Sequence, residues 1–391
     1  MVPVGGLSVA VCALSDPQSS LPLKSSPLDA LHRALGAQMV GFAGWSLPLR
    51  YPAGIIAEHR HTRAAASLFD VSHMGQATIL GAHELVAPAL EALVPGDIAG
   101  LAPGRSRYSM LLNEGGGVID DLIISRVADG LRLVVNGARQ AVDAAHLALM
   151  LAARPPAPPI VWHDRALLAV QGPAAATVLA RLGADIDGLG FMAVRDMRVG
   201  GFDVWGARCG YTGEDGFELS VPVTDAESLA RRLLDEPEMA PAGLGARDSL
   251  RLEAGLCLYG QDLDETVTPV EAGLAWVIGK SRRLAWDFPG GEVLRAQLAK
   301  GPARRLVGVL VDGRAPVRAG AEVIHAGEAV GRVTSGVFSP TLERPIALAL
   351  LRADRADPGS DVSILLRGRE VAAQVVALPF VAHRYRTGGA G

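Results

Sequence analysis

The stretch from residue 305 to residue 380 most constrains the fold, because short apolar-polar segments alternate there with glycine, proline and aspartate turns. Few of its segments have helical spacing, and the alternation is typical of short strands. Such a succession without an intervening helix favours a small β-barrel. The predicted strands are Leu306–Val311, Glu322–His325, Ala329–Val333, Ile346–Leu351, Val362–Leu366 and Glu370–Val376.

The part of the chain before this barrel mixes strands and helices. Residues 75–153 and residues 166–234 each predict strands interrupted by one helix and followed by another, which is compatible with a split βαβ layer. Two helices are predicted ahead of them. One begins at Ser26, whose hydroxyl is suited to capping, and ends at Gly36; the other covers Ile55–Ala66. The order of the strands stays open.

Two boundaries divide the chain. The composition changes after Phe288-Pro289-Gly290-Gly291, which places a domain boundary near residues 290–303. Residues 1–25 lack the basic start of a targeting peptide and are rich in serine and proline, so a flexible extension is expected. An α+β region over 26–290 and a barrel domain over 303–386 follow it.

Composition argues against several classes of protein. The 391 residues carry a net charge of −4 without a long basic block, so no nucleic-acid partner is expected. No apolar run has the length of a membrane span, so no membrane partner is expected either. Three cysteines at unrelated spacings indicate neither a disulfide framework nor a zinc site, and a reducing cytoplasm is the simplest setting. His59, His61 and His73 lack a completing carboxylate, so no metal is expected.

Two adjacent acids, Asp120 and Asp121, interrupt an apolar strand that follows a glycine turn at residues 115–117. Neighbours on a strand point to opposite faces, so one of the two acids must face inward. Burying a carboxylate is costly unless it is paired, and aspartate is a poor strand former. From the residues alone, a functional site and a bulge exposed to water both stay open.

A second candidate lies in the segment R-C-G-Y-T-G-E-D-G-F-E-L-S-V at residues 208–221. Gly213 and Gly216 are suited to positive φ, which predicts a tight turn over Tyr211–Gly216 between the strand Met197–Arg208 and the strand that follows. Glu218 then lies on the polar face of that following strand. Taken alone, the segment favours a hairpin with a solvated glutamate. The apolar residues share the other face: Phe217, Leu219 and Val221.

Arg247 lies in the first turn of a helix predicted from Gly245. A positive charge there opposes the helix dipole, so Arg247 is expected to have a carboxylate or carbonyl partner elsewhere, and a structural ion pair is the simplest interpretation. No phosphate-binding loop, dinucleotide fingerprint or nucleophile elbow is present. The residues by themselves do not define the reaction.

Several long motifs in a fixed order nevertheless carry a family resemblance over residues 26–386. They are G-F-A-G-W-S-L-P-L (41–49), L-F-D-V-S-H-M-G (68–75), N-E-G-G-G-V-I-D-D-L-I (113–123), L-A-V-Q-G-P (168–173), R-C-G-Y-T-G-E-D-G-F-E (208–218), G-A-R-D-S-L-R-L-E-A-G-L-C-L-Y-G (245–260), T-P-V-E-A-G-L (268–274) and V-T-S-G (333–336). Together they resemble the T-protein family, the aminomethyltransferases of the glycine cleavage system. The resemblance implies an α+β fold of three domains in a ring around a central folate cleft, two of them interleaved and the last a β-barrel.

The resemblance also implies a reaction. An aminomethyl group arrives on the dihydrolipoyl arm of H-protein, tetrahydrofolate accepts the carbon, ammonia is released and 5,10-methylenetetrahydrofolate forms. The enzyme has to orient the partners, stabilise charge and handle protons. Tetrahydrofolate is then the one-carbon acceptor substrate, and no metal takes part.

Matching positions give the expected site residues. Asp121 corresponds to the key aspartate, which would stabilise the cationic carbon, and Glu218 to the glutamate that accepts N–H groups of the pterin edge. Arg247 corresponds to the substrate-binding arginine. Tyr385 matches the C-terminal tyrosine, although Arg386 replaces a residue that is often aromatic. Two further positions near the pocket are Asn113 and Asn136.

The partner implied by the family is lipoylated H-protein, which is acidic. Lys280, Arg282 and Arg283 form a basic cluster that would suit docking it. We expect a monomer.

Two alternatives keep the same fold. A folate-dependent demethylase would pass a methyl group to folate, while the related sarcosine and dimethylglycine dehydrogenases would need a flavin fingerprint that this chain lacks. A non-catalytic folate-binding paralogue carries a K-G-C-Y-x-G-Q-E type signature, where this chain has R-C-G-Y-T-G-E-D-G.

Overall fold

The computed structural model describes residues 22–154 and 157–387. A small three-stranded sheet opens the described chain, in the order β1-β3-β2. Its strands are β1 (Lys24–Ser25), β2 (Gln38–Phe42) and β3 (Trp45–Arg50), and the helices beside it are α1 (Asp29–Ala34) and α2 (Ile55–Ala64). Because Lys24 and Ser25 pair with Trp45 and Ser46, the folded part begins before the expected end of the extension at residue 25. Residues 1–21 of that extension lie outside the described residues.

A five-stranded antiparallel sheet forms the first α+β layer. Its order is β6-β7-β8-β5-β9. The strands are β5 (Gly75–Leu80), β6 (Ser106–Leu112), β7 (Val118–Val127), β8 (Gly130–Val135) and β9 (Ile160–Trp162). Two helices, α3 (His83–Glu91) and α4 (Gln140–Ala152), bury Leu90 and Leu147 against Ile79 and Ile124 of the sheet. This burial of apolar side chains holds the layer together.

A six-stranded sheet forms the second layer, in the order β11-β12-β13-β10-β4-β14. Its strands are β4 (Ala66–Asp70), β10 (Arg165–Gln171), β11 (Ala193–Val199), β12 (Phe202–Arg208), β13 (Gly216–Pro222) and β14 (Met239–Pro241), with α5 (Ala175–Arg181) and α6 (Val223–Leu234) packed on it. Because β4 precedes the whole first layer in the chain, the two α+β layers are interleaved, as the family resemblance implied.

A closed barrel completes the fold, in the order β15-β18-β17-β16-β19-β20. Its strands are β15 (Arg304–Val311), β16 (Glu322–His325), β17 (Glu328–Ser339), β18 (Arg344–Arg352), β19 (Asp361–Leu366) and β20 (Arg369–Val376). The barrel predicted from residues 305–380 is therefore confirmed. Closure removes exposed strand edges, and Val309, Val323 and Ile364 fill the interior.

A helix at the centre of the molecule, α7 (Leu244–Glu253), contacts β3, α2 and the barrel strands β17 and β18. Two short helices, α8 (Arg282–Ala285) and α9 (Gly291–Lys300), lead from the first layers to the barrel. The helix α9 occupies the interval in which the domain boundary was expected.

Three local predictions were wrong. The segment Met197–Arg208 belongs to two paired strands, β11 and β12, that reverse at Gly200 and Gly201, both of which have positive φ. The connection from β12 to β13 is a loop over residues 209–215 rather than a tight turn. The helix α1 begins at Asp29, and no side chain of the described residues caps Leu28 at its start; the Ser26 hydroxyl donates to Asp70 and accepts from Leu28 N at 3.0 Å.

Candidate active site

A cavity of about 920 Å³ lies between the two α+β layers, α7 and the barrel. This volume falls in the range of sites for drug-sized ligands. Five of the six site residues expected from the sequence line it: Asp121, Asn136, Glu218, Arg247 and Tyr385.

Asp121 presents its carboxylate to the cavity from the middle of β7. The Tyr108 hydroxyl donates to Oδ2 at 3.0 Å, and Asn136 Nδ2 donates to Oδ1 at 2.8 Å. Burial raises the pKa of Asp121, while these two hydrogen bonds act in the opposite direction. The carboxylate is therefore held in one orientation by neutral donors.

Asp120 faces the other side of β7, as the alternation of strand residues requires. Its side chain is fully buried, and Asn136 donates to it through the backbone N at 3.0 Å and through Nδ2 at 2.9 Å. One of the two adjacent acids thus faces inward, and the other faces the cavity rather than a bulge in water.

Glu218 and Arg247 occupy another wall of the cavity. Burial raises the pKa of Glu218, and the charge of Arg247 opposes this shift. The Cys209 thiol donates to Glu218 Oε2 at 3.5 Å. Arg247 lies with its guanidinium carbon 4.7 Å from the centre of the Tyr211 ring, and its buried Nη1 has no hydrogen-bond partner among the described residues. Arg247 therefore interacts with the charge of Glu218, a carboxylate partner of the expected kind, and keeps its Nη1 available as a donor to a ligand.

The loop before Glu218 is built around the buried side chain of Gln171, which explains its glycines. Gln171 Nε2 donates to the Cys209 carbonyl at 3.0 Å, and its Oε1 accepts from Thr212 Oγ1 at 2.8 Å. A Cβ atom at Gly216 would meet Gln171 Nε2 at 2.4 Å. Gly213 has the expected positive φ. At Gly216 a glycine is required because the Gln171 side chain approaches the backbone closely. This contact fixes the start of the strand that carries Glu218.

Tyr385 reaches the cavity from the C-terminal segment that follows the barrel. Its ring stacks on Phe191 with 4.2 Å between ring centres and an interplanar angle of 10°. Burial raises the pKa of its hydroxyl to about 12, so the group is a neutral phenol. Arg386, which replaces an often aromatic residue, does not disturb this arrangement, because its backbone carbonyl accepts from Phe191 N at 2.9 Å.

Two residues do not lie where the sequence predicted them: Asn113 was expected near the pocket and Arg282 in the basic cluster on the surface. Asn113 does not line the cavity: its Oδ1 accepts from Gly117 N at 3.0 Å and its Nδ2 donates to the Glu265 carbonyl at 2.9 Å, so it fixes the glycine turn. Arg282 is also turned inward, with its side chain 8% exposed and Nη1 2.8 Å from Asp287. The basic cluster on the surface therefore consists of Lys280 and Arg283.

The structure adds three cavity residues that sequence reasoning left without a role. Tyr108 contacts Asp121, and its ring lies 5.6 Å from that of Trp276, whose side chain is among the exposed large hydrophobic groups. His73 is buried beside Phe42, and its Nδ1 has no hydrogen-bond partner in the part of the chain that the structure describes. Burial lowers the pKa of His73 to about 4, so its imidazole is neutral. Only the motif L-F-D-V-S-H-M-G gave a signal for any of them.

Within the part of the chain that the structure describes, no group of histidine, cysteine, aspartate and glutamate side chains is arranged to hold a metal ion. His59 instead contacts Ser249, Thr341 and Glu253. Within the same residues, no helix is long and apolar enough to cross a bilayer.

Known proteins resemble this chain over nearly its whole length. The GCVT N-terminal domain matches residues 28–282, and the glycine cleavage T-protein C-terminal barrel domain matches residues 304–382. The chain is 47% identical to aminomethyltransferase, mitochondrial, of Gallus gallus over 379 residues, covering 94% of this chain and 95% of that protein. It is 45% identical to the Homo sapiens protein of the same name over 376 residues, covering 93% and 92%.

A solved structure agrees with this likeness. The glycine cleavage system aminomethyltransferase T from Bartonella henselae is similar with a TM-score of 0.89 at 42% sequence identity, over 93% of this chain and 100% of that one.

Two interleaved α+β layers and a closed barrel around a cleft with a fixed aspartate define, with these relatives, an aminomethyl-transferring enzyme. The chain belongs to the glycine cleavage T-protein family. The fold class predicted from the sequence is confirmed. The relatives from Gallus gallus and Homo sapiens are mitochondrial by name, and the cytoplasmic setting of this chain stays a prediction.

Proposed function

We propose that this enzyme transfers the aminomethyl carbon from the dihydrolipoyl arm of H-protein to tetrahydrofolate, breaking its bonds to nitrogen and sulfur, so that ammonia and the free thiol of the arm are released and 5,10-methylenetetrahydrofolate forms. The observation that carries the proposal is the Asp121 carboxylate, fixed by Tyr108 and Asn136 and open to a cavity of about 920 Å³. Tetrahydrofolate supplies the nitrogen atoms that attack the carbon. The chain supplies orientation, negative charge and proton acceptors.

Asp121 is the residue that we assign to the developing positive charge. When ammonia leaves, the transferred carbon becomes electron-poor, and a carboxylate held in one orientation stabilises it without reorganisation. The same carboxylate is suited to accepting a proton from an attacking nitrogen. Tyr108 and Asn136 both donate to it, so neither competes for that proton.

Glu218 and Arg247 are the residues that we assign to folate recognition. A reduced pterin presents a ring N–H beside an exocyclic amine, a pair of donors that one carboxylate accepts together. Burial of Glu218 makes this pairing favourable, since the buried carboxylate lacks full solvation. Arg247 Nη1 and His73 Nδ1, both buried and without a hydrogen-bond partner in residues 22–154 and 157–387, offer further polar contacts. The largely apolar remainder of the cavity suits the aromatic body of folate.

The first experiment compares wild type with Asp121→Asn, which keeps the shape of the side chain and removes its charge. Product formation from aminomethylated H-protein and tetrahydrofolate is measured beside folate affinity. We expect kcat to fall by at least about a hundredfold, because a group acting on transition-state charge is lost, while folate Kd stays within about threefold.

Two outcomes would contradict the proposal. Wild type that binds folate but forms no methylene product would favour the demethylase or the non-catalytic binding alternative. A variant with full turnover would remove Asp121 from the chemistry.

H-protein is proposed to dock where Lys280 and Arg283 lie beside the cavity. Arg283 Nη2 donates to the Ala275 carbonyl at 2.6 Å, which places its charge beside the 3₁₀ turn Ala275–Val277 that carries Trp276. Trp276 is 62% exposed and lines the cavity, so a carrier arm passing this side chain would reach Tyr108 and Asp121.

Charge reversal tests this docking surface. Lys280→Glu with Arg283→Glu is expected to raise KM for H-protein about tenfold and to leave folate Kd unchanged, because complementary charges act on encounter. Arg198→Glu, a change at an exposed arginine of β11, is the matched control. Equal KM values in the double variant and the control would exclude this surface.

A further inference from the structure

A second carboxyl group lies directly behind Asp121, on the side of β7 that faces away from the cavity. Asp120 is 0% exposed. Asn136 Nδ2 donates to Asp120 Oδ1 at 2.9 Å and to Asp121 Oδ1 at 2.8 Å. One side-chain amide therefore connects the two neighbouring carboxyl groups, and the position of that amide depends on both.

A third carboxyl group, that of Asp143 in α4, lies near Asp120. Asp143 is 0% exposed, and the two side chains are close enough for each to shift the pKa of the other. Neither Asp143 oxygen has a hydrogen-bond donor among the described residues. Ionised carboxylates only accept hydrogen bonds, so a hydrogen bond between two of them requires a proton.

The surroundings indicate which of the two acids holds that proton. Asp143 lies in the first turn of α4, where the helix dipole favours a negative charge, and Arg139 lies close enough to stabilise it. Asp120 instead adjoins the charge of Asp121, which disfavours a second carboxylate.

We infer that Asp120 and Asp143 share one proton carried by Asp120, and that this pair positions Asn136 and leaves Asp121 as the ionised carboxylate at the cavity. The role in turnover rests on the proposed function, whereas the shared proton does not. Asp120 and Asp143 touch no substrate and are positioning residues.

The electrostatics of the pair agree with its geometry. Burial, followed by the charges of Asp121 and Asp143, raises the pKa of Asp120 to about 10. Burial raises the pKa of Asp143 to about 6, against the opposing charge of Arg139. The charge of Asp120 also acts on Tyr259. His146 follows Asp143 on the next turn of α4, and Glu265 accepts from Arg139 at 2.7 Å.

Infrared spectroscopy of the whole enzyme tests the proton without any substrate. With ¹³C-labelled aspartate, a protonated carboxyl C=O band at pH 7 that shifts in D₂O is expected in wild type, in Asp121→Asn and in the surface control Asp203→Asn. Asp120→Asn is expected to lose the band. A wild type without the band, or an Asp120→Asn variant that keeps it, would overturn the shared proton.

The pH profile of kcat tests the role in turnover and separates charge from packing. Asp120→Asn replaces a neutral acid by a neutral amide, so the acid limb of the profile should stay in place while kcat falls about tenfold through loss of one buried hydrogen bond. Asp143→Asn removes a negative charge near Asp121, so that limb should move to lower pH. A limb that moves in Asp120→Asn but not in Asp143→Asn would place the proton on Asp143 and overturn the assignment.

Discussion

At the scale of the residue, the carboxylate of Asp121 is held by hydrogen-bond donors that carry no charge. Tyr108 and Asn136 are uncharged, so neither offsets the negative charge that an ionised Asp121 presents to the cavity. A lysine or arginine in either place would lower the pKa of Asp121 but would also compete for its charge with a cationic substrate. Neutral donors therefore suit the proposed role of Asp121 in stabilising a transient cation.

Tyr108→Phe tests this balance. The Tyr108 hydroxyl lowers the pKa of Asp121, so its removal raises that pKa, and the carboxylate becomes protonated at a higher pH. Because the ionised form is the active one, the acid limb of the kcat profile should move to higher pH. At neutral pH, kcat should fall about tenfold through loss of a charged hydrogen bond.

The phenylalanine keeps the ring beside Trp276, which controls for packing. A lower kcat with an unmoved limb would mean that the hydroxyl positions substrate and leaves the protonation of Asp121 unaffected.

At the scale of the element, alternation and turn chemistry in the sequence were enough to predict the six barrel strands and the strand that carries Glu218. Residue properties alone could not show that Glu218 faces a cavity, because a solvated and a cavity-facing glutamate have the same pattern. The contact of Tyr108 with Asp121 depends on the register of β6 and β7, in which Met110 pairs with Asp121. Register between strands is set by tertiary packing, so the sequence left it open.

One buried acid of α7, Glu253, connects this helix to the barrel. It accepts from Ser339 Oγ at 2.5 Å and from Thr341 Oγ1 at 2.7 Å, and its Oε2 lies 2.8 Å from Arg63 Nη2 and 3.2 Å from His59 Nε2. Burial opposes the charge, yet His59 and the hydroxyl donors together lower the pKa of Glu253 to about 2. The charge of Glu253 is therefore stabilised by folding.

Glu253→Gln is expected to lower the free energy of unfolding at pH 7 by about 3 kcal/mol, measured by urea unfolding. The folded pKa lies below the unfolded value of about 4.3, so this stabilisation is present above pH 4.3 and is lost as the pH falls through about 2. The variant should lose stability less steeply than wild type over that interval.

Glu343→Gln is the control for this change. Glu343 pairs with Arg60 of α2, a different helix-to-barrel contact, and is 74% exposed, so a loss below about 1 kcal/mol is expected. Similar losses in the two variants would show that burial does not set the strength of this link.

At the scale of the whole molecule, the C-terminal segment closes the ring around the cavity. After the barrel, Val381 N donates to the Glu253 carbonyl at 2.9 Å, and Arg384 N donates to the Gly213 carbonyl at 2.7 Å. The Arg384 side chain also reaches Glu214, which Arg63 of α2 contacts at 2.7 Å. The barrel is thus tied to the loop that precedes Glu218 as well as to α7.

Removing residues 381–391 therefore tests whether closure of the ring shapes the proposed folate site at a distance. The deletion takes away Tyr385 and frees the loop over residues 209–215, so folate Kd should rise at least about tenfold. Tyr385→Ala separates the two causes: it removes the stacked ring but keeps the tie through Arg384, and a smaller rise in Kd is expected. Deleting only residues 388–391 is the control and should leave Kd unchanged. If Tyr385→Ala matched the longer deletion, the ring contact would account for the whole effect, and the tie between barrel and loop would have no part in binding.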